Sequence, residues 1–201
     1  MLSIITCIDT GYNTQHVYKY LKGHDVNRVR GIKGSDKLQM IFGKPSEVEI
    51  NHNGQRIPNA TRIWNLGVNL LKSELYSWLK MPIPLEGKDP SGFCHFPEYD
   101  ENYFEGLCSE QLVEVKKNGR KVYIWQKKIN RNEPLDCRVY ARAAASMVGI
   151  DRYNSEQLFE MFGLLQENVT KTSNVGDSGK QEPERNEFWD RSNRRNGRGI
   201  W

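Results

Sequence analysis

A strand, a helix and a second strand open this sequence, and that order constrains the fold most. Residues 2–9, LSIITCID, form an apolar, β-branched run of strand length that stops at Asp9. TGYNTQHVYKYLKG follows as a turn and a short helix, with Val17, Tyr18 and Leu21 on one face and Gly23 as its C-cap. VNRVRGIKG is a second strand, ending at Lys33 and Gly34. Strands joined through a helix pair in parallel by a right-handed crossover. The fold class expected is α/β, with Asp9 at the carboxyl edge of the sheet, where open α/β folds place their working residues.

Downstream, residues 35–60 read as polar and irregular, apart from a hairpin signal at Asn53-Gly54. TRIWNLG is a third strand running into the helix VNLLKSELYSWLK, whose Val68, Leu71, Leu75 and Leu79 repeat at helical spacing before Pro82 and Pro84 stop it. Residues 85–108 are loop-rich and aromatic. EQLVEVKKNGRKVYIWQKK reads as two strands turning at Asn118-Gly119, and NSEQLFEMFGLLQ as a last short helix. From about Gln166 the chain loses apolar periodicity, so residues 1–165 are expected to form one domain and residues 166–201 a disordered basic tail. The ending, DRSNRRNGRGIW, reads as a solvated tail, a docking peptide or a phosphate-binding arm.

The net charge of +4 suits a partner carrying phosphates without requiring one. No apolar run reaches the ~18 residues of a membrane span, and MLSIITCID lacks the basic flank of a signal peptide, so a soluble cytoplasmic protein is expected, with no membrane partner. Cys7, Cys94, Cys108 and Cys137 form no CxxC pair, which argues against a disulfide framework or a structural zinc site. His95, beside Cys94, is read as a packed imidazole rather than a ligand.

NEPLDCRVY, at 132–140, opens a helix whose Leu135, Val139, Ala143, Ala144 and Met147 must pack against something. Asn132 suits its N-cap, and Pro134 is tolerated in a first turn. Two carboxylates, Glu133 and Asp136, stand there as well. They complement the helix dipole, or they meet Asp9 and hold hard divalent cations, since Mg²⁺ takes a few carboxylate oxygens and keeps several waters. Two such ions about 4 Å apart can activate a water and stabilise the leaving oxygen in phosphodiester hydrolysis.

The stretches IDTGY at 8–12, RGIKGS at 30–35, WNLGVNLLKSELY at 64–76, GFCHFP at 92–97 and WQKKINRNEPLDCRVYARAA at 125–144 resemble the nuclease half of the GpA-type terminase large subunit of lambda-like tailed phages. The resemblance implies an RNase H-like fold that cuts concatemeric viral DNA with two metal ions, Mg²⁺ or Mn²⁺, during genome packaging in the host cytoplasm. It implies double-stranded DNA, the terminase small subunit and the portal protein as partners. Asp9 resembles the family's central-strand carboxylate and Glu133 its helix-start carboxylate, with Asp136 an auxiliary ligand; Lys33, Lys72 and Arg131 are the candidate DNA contacts. In the family a first strand bearing another Asp, and the motor ATPase, lie upstream of IDTGY; here only Met1 precedes LSIITCID, and no GxxxxGK[ST] loop for ATP is present. A nuclease fold incomplete at its N-terminus is therefore expected, weak or inactive alone and completed by an upstream terminase fragment. The competing expectation is a non-catalytic DNA-binding or portal-docking remnant.

Overall fold

The computed structural model describes residues 4–52, 55–84, 89–154, 156–158 and 160. The chain divides into two units, Met1–Tyr153 and Asn154–Trp201. In the first, β1 (Thr6–Asp9), α1 (Thr14–Lys22), β2 (Val29–Ser35), β3 (Phe42–His52), β4 (Gln55–Gly67) and α2 (Val68–Leu79) follow in order. Then come α3 (Glu101–Leu107), β5 (Glu110–Lys117), β6 (Arg120–Lys127), α4 (Glu133–Met147) and a 3₁₀ turn at Ile150–Arg152. The main sheet runs β1-β2-β4-β3; β1, β2 and β4 are parallel, and β3 lies antiparallel at the edge.

Alternation along β2 and β4 sorts the core into two faces. Ile32, Trp64 and Leu66 pack with Leu71 and Leu75 of α2, Leu107 of α3, and Leu135, Val139 and Ala143 of α4. Ile63 and Ile50 pack instead with Tyr18 and Leu21 of α1. Each fully buried aliphatic side chain contributes about 1.5–3 kcal/mol, so the α2/α4 face carries most of the apolar stabilisation. That places α4 against β1, the strand that ends in Asp9.

Two segments depart from the sequence reading. Residues 35–60 are not irregular: β3 and the first half of β4 form a long ladder that pairs His52 with Gln55, on either side of the Asn53-Gly54 signal, whose own residues lie outside the described ones. Its polarity hid it, since Phe42, Val48 and Ile50 pack inward at scattered positions, while Glu47 and Glu49 pair with Arg62 and Arg56. Pro45 is tolerated because β3 is an edge strand. Within the loop-rich stretch, α3 is a seven-residue helix, too short for periodicity to reveal, whose N-cap Asp100 accepts the Tyr103 N–H at 2.9 Å. The β5–β6 turn is as expected, with Asn118 and Gly119 both at positive φ. In the second unit, Asn154 and Gln157 bond reciprocally through side chain and backbone, a capping box where a last helix was expected. The rest of that helix and the tail from Gln166 lie outside the described residues. Among the described residues no helix is long and apolar enough to cross a membrane.

Gly67 joins β4 to α2 where the Leu38–Met40 backbone crosses. A Cβ there would stand 2.2 Å from the Met40 carbonyl oxygen and 2.7 Å from that of Leu38. Backbone cannot yield as a side chain tip can. Gly67→Ala is therefore expected to lose about 2–3 kcal/mol of stability, the range of overpacking, read as a lower urea midpoint with unchanged m-value. An unchanged midpoint would refute this close packing.

Candidate active site

Asp9 is fixed by the residues that follow it. Both the backbone N–H and the hydroxyl of buried Thr10 donate to the Ile32 carbonyl, each at 2.9 Å, as the chain leaves the sheet. Asp9 Oδ1 accepts the Gly11 N–H at 3.1 Å, the local turn that aspartate favours. A Cβ on Gly11 would lie 3.2 Å from Asp9 Oδ2, so glycine keeps this side of the carboxylate open. Asp9 itself is solvent-exposed.

Helix α4 brings the second carboxylate. Leu135, Val139 and Ala143 bury its inner stripe, and half-buried Asp136 flanks that stripe. Burial raises the Asp136 carboxyl above the ordinary aspartate range; Lys72 and Lys127 oppose the shift, and Glu110 and Asp9 add to it. Tyr140, one turn along, is raised first by its own burial and then by the charges of Asp9 and Asp136. Asp9 and Asp136 thus lie within electrostatic reach of each other.

Glu133 goes elsewhere. Its side chain is 73% exposed and makes only a loose 3.7 Å pair with Arg131. Of the two carboxylates on the first turn of α4, Asp136, the one read as auxiliary, is the one whose charge Asp9 is seen to influence.

Sequence reasoning missed the groups that support Asp136. Glu110, at the start of β5, is 4% exposed, and its Oε2 takes the Lys72 ammonium at 2.7 Å. The Tyr76 hydroxyl donates to the Glu110 carbonyl at 2.7 Å and accepts the Glu110 N–H at 3.2 Å. Asn132 Nδ2 donates to Asp136 Oδ2 at 2.9 Å and stands 3.5 Å from Glu110 Oε1, while Asn132 Oδ1 accepts from Lys127 Nζ at 2.9 Å. A buried carboxylate at a strand start gives no local signal; only its tertiary neighbours mark it.

The candidate DNA contacts separate. Lys72, 12% exposed, is committed to Glu110. Lys33 is exposed, one step beyond Ile32, the register partner of Asp9. Arg131 lies at the surface beside Glu133. His95 is mostly exposed, at 71%: it bonds Asp89 at 2.8 Å and meets the Phe93 ring edge-on.

Asp9 and Asp136 are donors of the type that a hard divalent ion takes. Two carboxylates of like charge, one raised by burial, gain from a cation between them, and Mg²⁺ is often held by one or two carboxylates, waters and a substrate phosphate. Among the described residues no group of three or more His, Cys, Asp or Glu side chains forms a complete protein cage.

The family described as terminase large subunit gpA, endonuclease domain, matches residues 1–157. The terminase large subunit of Escherichia phage lambda is 33% identical over 167 residues, covering 80% of this chain and 24% of that protein. The terminase large subunit of Enterobacteria phage P21 is 32% identical over 139 residues, covering 67% of this chain and 20% of that protein. The chain thus spans a quarter or less of the length of these relatives. No solved structure matches it. With a family match over most of its length, this chain belongs to the endonuclease-domain family of the terminase large subunit gpA.

Proposed function

We propose that the chain carries the DNA-cutting centre of a phage terminase large subunit, an RNase H-like endonuclease site in which Asp9 and Asp136 hold Mg²⁺ or Mn²⁺ against a DNA phosphate. The observation that carries this reading is a strand-end and a helix-start carboxylate, from separate elements, close enough for the charge of Asp9 to act on Asp136, with a buried Lys72–Glu110 pair beside Asp136. A bound cation supplies Lewis-acid polarisation of the phosphate and a water acidic enough to attack it. Asp9, exposed at the sheet edge, meets the substrate side, and Asp136 is the anchored partner. Lys33 offers an ammonium to the backbone close to the cut. Packaging of concatemeric viral DNA, with the small subunit and portal protein, is the setting that the family resemblance implies.

The test is nicking of supercoiled plasmid by stoichiometric amounts of the 201-residue chain. Nicking that needs Mg²⁺ or Mn²⁺ and stops with chelator is expected. DNA binding with no cutting under either metal, by the chain alone and with an upstream terminase segment supplied, would favour the non-catalytic reading.

The β5–β6 ribbon rises from this site, since Glu110 at its root pairs in register with Lys127. Seven residues along, at ~3.3 Å each, the tip stands roughly 23 Å away. Lys116, Lys117 and Arg120 are exposed there and make no ion pair among the described residues. Replacing all three by Gln should weaken duplex binding at every sequence alike and reduce the slope of log K against log salt by about 0.9 for each phosphate no longer neutralised. A salt slope equal to wild type would remove the ribbon from the DNA footprint.

A further inference from the structure

Asn132 occupies the N-cap of α4, yet its side chain makes no capping hydrogen bond. Asparagine is favoured at that position because its side-chain oxygen can accept an N–H of the first helical turn. Here the oxygen accepts Lys127 Nζ instead, and the amide nitrogen donates to Asp136 Oδ2, both at 2.9 Å. A helix cap is forgone, and a carboxylate is held.

What stands behind Asn132 is rigid. Glu110 Oε1 lies 3.5 Å from the same amide nitrogen, and Glu110 is pinned by Lys72 through its side chain and by Tyr76 through its backbone. The chain of contacts runs from a buried ion pair, through one amide, to the carboxylate whose orientation the chemistry needs. Carboxylates that bind metals are themselves commonly oriented by such outer partners, whose loss typically costs 10–100-fold in metal affinity or activity.

We propose that Asn132 is a positioning residue for Asp136: it trades the α4 cap for a hydrogen bond that ties Asp136 Oδ2 and presents the carboxylate for cation binding. This rests on the metal-site reading of Asp9 and Asp136 given above.

Asn132→Ser separates positioning from packing. Serine is as good an N-cap as asparagine, but it is too short to reach both Lys127 and Asp136. The variant should melt at or above the wild-type temperature. Its Mn²⁺ affinity, measured by calorimetric titration of the full chain with Mn²⁺ alone, should fall by about 10–100-fold. Its kcat for plasmid nicking should fall while KM for DNA stays near wild type. Lys127→Met, which removes an exposed anchor of the same amide, should shift Mn²⁺ affinity in the same direction by less, and it serves if the serine variant folds poorly. Asp136→Asn is the control. If it abolishes Mn²⁺ binding while Asn132→Ser and Lys127→Met bind like wild type, the positioning role is overturned alone. If Asp136→Asn also binds like wild type, the metal-site reading falls and the positioning role with it.

Discussion

Asp136→Asn is expected to lower metal-dependent plasmid nicking by at least about a hundredfold, because a direct ligand should cost no less than the 10–100-fold typical of its outer partners. The amide keeps the size of the carboxylate and removes the charge that a divalent ion would neutralise. Asp9→Asn should do the same. Glu133→Gln, by contrast, should cut like wild type, since Glu133 is 73% exposed and faces Arg131 rather than the acidic pair. Stability should barely change with Asp136→Asn, because burial already disfavours the charged form in the folded chain. Full nicking by Asp136→Asn, or its loss with Glu133→Gln, would reverse the roles given to these two carboxylates.

Lys72→Met is expected to be the most destabilising of the substitutions considered. It strands Glu110, 4% exposed, without its ammonium partner. Breaking one side of a buried pair costs about 3–5 kcal/mol, which for a unit of this size lowers the melting temperature by on the order of 10 °C. Replacing both members together, Lys72→Met with Glu110→Leu, should recover most of that loss, because a buried pair exchanged for apolar side chains is often neutral. A single variant as stable as wild type would mean that Glu110 reaches water, contrary to its burial. A double variant no better than the single would place the cost in packing rather than charge.

Much of this architecture is legible in the sequence, and the failures have physical causes. The parallel β1–β2 pair, α2, the β5–β6 ribbon and α4 all follow from apolar runs, periodicity and turn residues. β3 does not, because an edge strand with one polar face and a few scattered inward residues looks like a loop until its partner is known. α3 holds one buried leucine and a cap, below what a periodic pattern can show.

Helix geometry already separates Glu133 from Asp136. At 3.6 residues per turn, Asp136 falls about 60° from the centre of the Leu135–Val139–Ala143 stripe and Glu133 about 120° from it. The residue nearer the buried stripe is the one that can reach a strand end beneath the helix. Glu110, Lys72 and Asn132 were beyond such arithmetic. Their roles exist only where β5, α2 and α4 meet, and Asn132 carries the local signature of a cap that it does not form.

The most direct test of a shared cation site is the ¹³C resonance of each side-chain carboxyl group as Mg²⁺ is added to the full chain. Asp9 and Asp136 are predicted to shift together along one saturation curve, with Glu133 unmoved. A shift at Glu133 with Asp136 unchanged, or separate curves for Asp9 and Asp136, would contradict the site described here.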